Sequence, residues 1–265
     1  MTAAIGLHGA TGRMGRAIVA ALAADDDAAL AGAFVRASNP LLGQDAGVVA
    51  GVAAQNVALA EIGGLARLDA LIDFSLPDGA LLALERCVAG GCPFVSGTTG
   101  FDAAGLDAIS QATRSIPVLL APNMSVGVNL TFHLIRQAAA ALGDDVDIEV
   151  VEAHHRHKVD APSGTAVRIG EILAEQTGRD LDAVAVHGRQ GHTGARARDA
   201  IGFSALRGGD IVGEHTVYFA GEGERIEITH RASSRSNFAL GAVRAAKWIA
   251  GRAPGSYGMD DVLGL

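Results

Sequence analysis

The sequence predicts an α/β protein of two domains: a parallel sheet flanked by helices, followed by an α+β domain with a mixed sheet. Three observations support this prediction. A chain of 265 residues usually divides into one large or two modest domains, because single cores stop growing near that size. Short apolar runs alternate with longer amphipathic stretches over the first 122 or so residues. In the later half, helices and strands come in separate blocks.

The first domain is predicted from strands that alternate with helices. This order requires right-handed crossovers and gives a parallel sheet. The alternation starts with a strand-like run and ends near residue 121. Its segments are 3–8, 16–24, 29–35, 70–74, 79–89, 93–96, 105–115 and 117–121.

The second domain is predicted from a helical pattern that follows residue 129 and reaches residue 142, and from the segments after it. A second predicted helix, 165–176, stands apart from most of the strands, which indicates an α+β arrangement. The polar stretch 188–198, rich in Gly and Arg, is interpreted as a loop. The predicted strands are 147–153, 182–188, 200–206, 213–220 and 224–231.

The composition indicates a compact enzyme. Hydrophobic residues make up 49% of the chain and charged residues 19%, far from the composition of disordered proteins. Lys and Arg total 21 against 29 Asp and Glu, which argues against partners such as nucleic acid or an anionic membrane. Cys87 and Cys92 are too few for a disulfide framework, and no signal-peptide pattern is present, so we expect a cytoplasmic protein.

A glycine-rich turn, GATGRMG at residues 9–15, follows the first predicted strand and opens the first helix. Its spacing, G-x-x-G-x-x-G, is a variant of the dinucleotide-binding fingerprint, and its position is the context that the fingerprint needs. Glycines without a Cβ atom let a pyrophosphate approach backbone N–H groups at the positive end of a helix. We therefore favour a dinucleotide site over a purely structural turn.

The residues at the end of the second strand, Phe34-Val35-Arg36, favour NADPH over NADH. At this point an acidic residue normally bonds the adenosine ribose of NAD, whereas an Arg accommodates the 2′-phosphate of NADP. No carboxylate stands here, and Arg36 offers a planar cationic fork. The alternative is that Arg36 is a solvated strand-end residue and that one of the aspartates at 25–27 reaches the ribose.

The stretch EAHHRHKVDAPSGT at residues 152–165 places five basic side chains in succession before a turn that opens a helix. The amides and hydroxyls of the turn at 163–165 suit a small carboxylate, and His155 and Lys158 add positive charge. His and Lys are also the usual proton carriers when their pKa values are tuned. The stretch therefore predicts a site that binds an anion and moves protons.

Two alternatives compete with this interpretation. A metal site could use His154, His155 and His157, but Arg156 and Lys158 would repel a cation, and no metal-binding spacing such as H-E-x-x-H is present. We therefore expect no metal. A solvated basic loop is the more serious alternative, above all for Arg156 and His157.

The chain resembles the 4-hydroxy-tetrahydrodipicolinate reductase family, formerly called the dihydrodipicolinate reductase family, over nearly its whole length. The most specific segment is HHRHKVDAPSGT at 154–165. Four individually modest segments accompany it: GATGRMG at 9–15, SGTTG at 96–100, APNMSVGVN at 121–129 and GDIVGEHT at 209–216.

The resemblance implies a Rossmann-like first domain that is completed by the C-terminal helix predicted at 238–250. Residues 1–122 and 236–265 would form this dinucleotide-binding domain. Residues 123–235 would bind the substrate and build a homotetramer through their sheet. NADPH is the expected cofactor, with NADH as the alternative, because family members that use NADH well commonly have an acidic residue where this chain has Val35.

The resemblance also implies the reaction. A cyclic dicarboxylate, 4-hydroxy-tetrahydrodipicolinate, would be reduced to tetrahydrodipicolinate with loss of water, in lysine and diaminopimelate biosynthesis. Hydride would go to ring C4 and a proton to C3, with His154 and Lys158 as the catalytic pair. Two competing interpretations are an NADP-dependent dehydrogenase acting on another amino-acid precursor and a regulatory protein that binds NADPH without catalysis.

Binding roles follow from the same resemblance. Substrate carboxylates would be bound by His155, Ser163, Gly164 and Thr165. The cofactor residues would be Gly9, Ala10, Thr11, Gly12, Arg13 and Met14 at the pyrophosphate, Val35 and Arg36 at the ribose end, and Gly97, Thr98, Thr99, Ala121, Pro122, Asn123 and Met124 at the nicotinamide.

Overall fold

The structure, a computed structural model, describes residues 2–63, 65, 68–234 and 236–265. The chain divides into two compact units, one formed by Met1–Val126 with Arg235–Leu265 and the other by Gly127–Ser234. The first division falls after residue 126 rather than after the expected 122, because Met124 is buried in the core of the first unit. No helix within the described ranges is both long enough and apolar enough to cross a membrane.

The first unit is built on a seven-stranded sheet in which all neighbouring strands are parallel. Numbered along the whole chain, its strands are β1 Ala3–His8, β2 Ala28–Phe34, β3 Leu59–Ala60, β4 Ala70–Asp73, β5 Phe94–Ser96, β6 Pro117–Leu120 and β12 Gly255–Tyr257. Their spatial order is β12-β6-β5-β4-β1-β2-β3. The chain runs outward from β1 to β3, returns to β4 and then runs the other way. This is the doubly wound, Rossmann-like arrangement that the sequence predicts.

Helices complete the core of the first unit, and one of them comes from the end of the chain. They are α1 Arg13–Ala23, α2 Ala46–Ala50, α3 Pro77–Gly90, α4 Ala103–Ala112, α8 Ser236–Ile249 and α9 Met259–Leu263. The buried residues of α8, among them Ala239, Ala242 and Ala246, belong to the core that surrounds β1. Lys247 of α8 adds an ion pair with Asp25, with 2.7 Å between Nζ and Oδ2. The expected completion of the first domain by the C-terminal helix is confirmed.

The second unit contains a five-stranded mixed sheet, as predicted. Its strands are β7 Asp147–His154, β8 Ala185–His187, β9 Ile201–Arg207, β10 Gly213–Ala220 and β11 Arg225–Ala232, in the spatial order β11-β10-β7-β9-β8. β7 pairs with β9 in parallel and with β10 antiparallel. The helices are α5 Val126–Leu142, α6 Gly164–Thr177 and α7 Leu181–Val184.

Burial alternates strictly along β7, because successive side chains of a strand point to opposite faces. Ile148 and Val150 share a buried cluster with residues of α6, such as Ile169 and Ile172. The same period places Glu152 and His154 on this buried face. The opposite face consists of half-buried residues. The buried face of β7 is therefore apolar at Ile148 and Val150 and carries its ionisable side chains, Glu152 and His154, at the C-terminal end of the strand.

The strand predicted at 182–188 was partly wrong. The side chain of Asp180 accepts a hydrogen bond from the Asp182 backbone N–H at 3.1 Å and caps the short helix α7, so the strand is confined to Ala185–His187. Among the described residues, five short elements were not predicted at all: α2, β3, β12, α9 and a 3-10 helix at Gly143–Asp145. Each has two to five residues, too few for hydrophobic periodicity to be recognised.

Candidate active site

The residues predicted for the cofactor lie at one edge of the parallel sheet. The carboxyl ends of parallel strands meet at the same edge, and this edge is where ligands bind in doubly wound sheets. The glycine-rich turn follows β1, and Arg36 follows β2. Residues 97–99 follow β5, and residues 121–124 follow β6. The topology therefore brings together four segments that are up to 115 residues apart (124 − 9) in the sequence.

The glycine-rich turn is shaped to receive an anion. Gly9 has φ +81°, and Gly12, the N-cap of α1, donates its N–H to the Gly9 carbonyl oxygen at 3.0 Å. In this described segment, α1 has neither a side-chain cap nor an acidic residue in its first turn. Its first backbone N–H groups are therefore available to a phosphate at the positive end of the helix dipole. These features fit a dinucleotide pyrophosphate.

Gly9→Ala is expected to lower the free energy of unfolding by about 3 kcal/mol, from left-handed backbone strain and from overpacking. A Cβ atom at Gly9 would lie 2.4 Å from the Phe74 carbonyl oxygen. Gly43→Ala is the matched control, because Gly43 has φ +80° but its Cβ would meet no described atom within 4 Å. The free energy of unfolding of Gly43→Ala, measured by urea denaturation, should fall by about 1 kcal/mol. Equal losses in the two variants would show that the contact with Phe74 has no effect.

A buried carboxylate organises the loops at this edge. Asp73, at the end of β4, accepts hydrogen bonds from Ser75 Oγ at 2.7 Å, Ser96 Oγ at 3.0 Å and Thr98 Oγ1 at 2.6 Å. The Nδ1 atom of His8, at the end of β1, lies 2.8 Å from the same carboxylate. This network fixes the start of the 97–99 loop. Asp73 is not among the predicted site residues, although a carboxylate that ends an apolar strand is a usable sequence signal.

The end of β2 shows which side chains can approach a bound adenosine ribose. Val35 is buried in the core, and Arg36 is exposed. Asp25 precedes β2 and is bound by Lys247, whose hydrogen bond lowers the pKa of the Asp25 carboxyl. A strand of this length spans roughly 20 Å. Asp25 and its neighbours therefore lie at the opposite edge of the sheet from Arg36, and the alternative based on the aspartates at 25–27 loses its support.

A second polar network lies at the end of β7 in the second unit. Glu152, 1% exposed, binds the Nδ1 atom of His154 through Oε2 at 2.7 Å. Arg207 of β9 donates two hydrogen bonds of 2.7 Å, one to each oxygen of Glu152. Burial alone would raise the pKa of Glu152, but the hydrogen bonds from Arg207 and His154 outweigh it and hold this pKa below its usual range. The carboxylate is therefore ionised at neutral pH.

The loop after His154 carries Lys158. The Lys158 backbone N–H bonds the His155 carbonyl oxygen at 3.1 Å, and its Nζ lies 2.9 Å from Asp160 Oδ1. The hydrogen bond from Lys158 lowers the pKa of Asp160, which is itself exposed. Such a partly solvated pair is weak, so the ammonium remains available to another partner. Arg156 and His157 lie exposed on the same loop, in line with their interpretation as solvated residues.

The turn at 163–165 forms the start of α6. Ser163 is the N-cap, and its Oγ accepts a hydrogen bond from the Ala166 backbone N–H at 3.2 Å. The same Oγ lies 3.0 Å from His215 Nε2. Burial, and then the neighbouring His154, lower the pKa of His215 to about 4, so this imidazole is neutral at pH 7. Gly164 is exposed at the helix start, where the helix dipole favours a carboxylate.

The second network contains three residues that the sequence analysis did not single out: Glu152, Arg207 and His215. Glu152 could have been found, because it continues the buried alternation of β7 at a position where an apolar residue is expected. Arg207 and His215 could not have been found from the sequence. Arg207 is 55 residues from its partner Glu152, and His215 is 52 residues from its partner Ser163. Within the part of the chain that the structure describes, no group of three or more His, Cys, Asp or Glu side chains is placed to hold a metal ion.

Family models match almost the whole chain. The model described as "Dihydrodipicolinate reductase, N-terminus" matches residues 3–124, and the model described as "Dihydrodipicolinate reductase, C-terminus" matches residues 127–263. The 4-hydroxy-tetrahydrodipicolinate reductase of Thiobacillus denitrificans is 54% identical over 267 residues and covers 100% of both chains. The protein of the same name from Nitrosomonas europaea is 52% identical and covers 98% of both chains.

Solved structures show the same fold at low sequence identity. Dipicolinate-bound dihydrodipicolinate reductase from Paenisporosarcina sp. TG-14 superposes with a TM-score of 0.76 at 21% identity, over 97% of this chain and 98% of that one. A probable dehydrogenase from Thermotoga maritima superposes with a TM-score of 0.62 at 11% identity, over 97% and 92% of the two chains. At such identities the similarity concerns the fold alone.

Proposed function

Because the chain belongs to the dihydrodipicolinate reductase family, we propose that it is a 4-hydroxy-tetrahydrodipicolinate reductase of lysine and diaminopimelate biosynthesis that prefers NADPH. The observation that carries the proposal is the grouping of His154, Lys158 and the Ser163 turn around the end of β7 and the start of α6. We also propose a cytoplasmic location, in which the two buried thiols, Cys87 and Cys92, stay reduced.

The substrate is a cyclic dicarboxylate, and the start of α6 supplies the groups to bind it. Backbone N–H groups at Gly164 and Thr165 stand at the positive end of a 14-residue helix whose first turn carries no acidic residue. His155 precedes this turn and adds a donor. A carboxylate held here would orient the ring relative to His154 and Lys158, and orientation of the reacting groups is a large part of catalysis.

Lys158 and His154 are assigned to proton movement. Loss of water, which takes the hydroxyl from C4 and a hydrogen from C3, first gives the conjugated ring. NADPH, when bound, would supply the hydride for C4 of that ring. The Lys158 ammonium stabilises the negative charge that develops on the ring and donates its proton to C3. His154, whose Nδ1 is held by Glu152, assists proton transfer through Nε2. Neither role requires a metal ion.

The cofactor preference rests on the end of β2. Arg36 is exposed, and its guanidinium suits the 2′-phosphate of NADPH. Val35 offers no carboxylate for the ribose hydroxyls of NADH. The turn at 9–14 would hold the pyrophosphate, and residues 97–99 and 121–124 would hold the nicotinamide. NADH remains the alternative cofactor, used less efficiently.

A homotetramer is proposed through the face of the mixed sheet that the helices do not cover. Val151 and Thr216 of this face are half-buried, and Leu206 is 54% exposed. We expect a mass of four chains of 26.9 kDa in analytical ultracentrifugation. Leu206→Lys should yield smaller species, whereas Leu240→Lys, at a leucine of α8 that is 55% exposed, should not. A monomeric wild-type protein at micromolar concentration would contradict the proposal.

The reaction is tested with purified protein and substrate generated in place from pyruvate and aspartate semialdehyde by an active synthase. Loss of NADPH absorbance that depends on the synthase is the expected result. NADH should be oxidised more slowly at limiting cofactor. If a folded protein oxidised neither cofactor, the proposed function would be wrong, and a regulatory protein that only binds NADPH would be the better interpretation.

A further inference from the structure

We infer that Glu152 and Arg207 are positioning residues for the proposed reaction: together they set which nitrogen of His154 carries hydrogen and fix the turn that holds the substrate. The inference rests on the proposed function. It adds two residues outside the 154–165 stretch, to which the resemblance assigns the chemistry.

The hydrogen bonds of Glu152 leave no acceptor position unused. A carboxylate has about four lone-pair sites, two on each oxygen. Oε2 binds His154 Nδ1 and Arg207 Nη1, each at 2.7 Å. Oε1 binds Arg207 Nη2 at 2.7 Å and the Ser163 backbone N–H at 3.0 Å. Since the side chain is 1% exposed, water does not replace any of these donors.

The saturated carboxylate determines the tautomer of His154. An ionised carboxylate only accepts hydrogen bonds, so Nδ1 of His154 must be the nitrogen that carries hydrogen. Nε2 is then the atom that exchanges a proton. The space beside Nε2 depends on Gly213 of the neighbouring strand β10. Glycine has no Cβ, and a Cβ at this position would lie only 3.0 Å from Nε2. The His215 ring stands edge-on to His154, with 5.2 Å between the ring centroids, and limits its rotation.

Arg207 extends the same network to the loop and to the substrate turn. Besides its two bonds to Glu152, its Nη2 donates to the Asp160 carbonyl oxygen at 2.8 Å. Asp160 is the partner of the Lys158 ammonium. Glu152 in turn holds the backbone N–H of Ser163, so one ion pair connects His154, the Lys158 loop and the start of α6. Groups held in this way are preorganised for reaction.

A merely structural ion pair would behave differently from a positioning pair. Loss of a structural pair lowers the free energy of unfolding and leaves the chemistry of the remaining folded protein unchanged. The test therefore uses two variants that remove different parts of the network. Glu152→Gln replaces the acceptor-only group by an amide, which can donate to His154 Nδ1. Arg207→Lys keeps the charge but loses the bidentate geometry and the link to Asp160.

We expect Glu152→Gln to lower kcat about 100-fold, with a change in substrate KM of about threefold or less, because proton transfer is affected more than binding. We expect Arg207→Lys to raise KM about tenfold, with a smaller loss in kcat, because the loop and the turn are loosened.

The matched control is Glu149→Gln, on the same strand as Glu152 but on the opposite face. Glu149 forms a bidentate pair with Arg189, and within the described residues no hydrogen bond joins it to His154 or Ser163. The control, with its oligomer mass verified, should change kcat less than threefold.

Nitrogen NMR of the imidazole groups gives a readout that does not depend on turnover. At alkaline pH, His154 of the wild-type protein should show hydrogen on Nδ1, and Glu152→Gln should shift the equilibrium toward hydrogen on Nε2. A His154→Asn spectrum assigns the signals. Hydrogen on Nε2 in the wild type, or unchanged kcat and tautomer in a folded Glu152→Gln protein, would overturn the inference. If the wild type had no activity, the proposed function would fail, while the tautomer measurement would still test the inference.

Discussion

Lys158→Ala is expected to lower kcat by about three orders of magnitude, because general acid catalysis and stabilisation of ring charge are lost together. Binding of NADPH should change little, since the proposed role of Lys158 is at the substrate ring and none of the proposed cofactor contacts uses it. His154→Ala should lower kcat by about two orders of magnitude, the usual contribution of one proton-transfer group. Single-turnover measurements of NADPH oxidation would separate this effect from product release.

The control for Lys158 is Arg156→Ala on the same loop. Arg156 is exposed, and its backbone N–H donates a hydrogen bond to the Gly209 carbonyl oxygen, which the substitution retains. Turnover within a factor of about three of wild type is expected for a surface change of this kind. Near-normal turnover in Lys158→Ala would contradict its role as the proton donor, and a comparable loss in Arg156→Ala would show that the charge of the loop matters rather than one ammonium.

Arg36→Ala is expected to raise the KM for NADPH by roughly 30-fold and to leave the KM for NADH nearly unchanged, because a charge-assisted contact with the 2′-phosphate contributes about 2 kcal/mol. Arg13→Ala is the informative comparison. Arg13 stands in the first turn of α1, at the expected pyrophosphate site, which is common to both cofactors. Its loss should raise both KM values by a similar factor. An equal effect of Arg36→Ala on the two cofactors would remove the basis of the proposed NADPH preference.

The architecture was predictable where a long periodic signal was present. The alternation of strands and helices up to residue 121 gave the parallel sheet, and the apolar spacing of 238–250 matched the helix Ser236–Ile249. The segment 182–188 failed because one capping contact from Asp180 outweighed a strand-like composition. Local hydrogen bonds of this kind compete with intrinsic preference over a few residues, and a short segment has no other contacts to decide the outcome.

The candidate site was predictable only where its residues are neighbours in the sequence. His154, Lys158 and the Ser163 turn come from one stretch and were found together. Arg207 reaches Glu152 because β9 pairs with β7, and that pairing depends on a crossover of about 50 residues that no local pattern specifies. The partners that orient the reacting groups are therefore the part of a site that needs a structure to be seen.

The return of α8 to the first unit has a consequence for synthesis on the ribosome. Residues of α8 such as Ala242 and Ile249 fill the core around β1, yet they are translated after the whole of the second unit. The parallel sheet of the nascent chain therefore keeps an uncovered apolar face until α8 is translated, whereas all segments of the second unit are present once residue 234 has been made. Chains released early, before residue 236, would expose that face, and such species aggregate and are removed by chaperones and proteases.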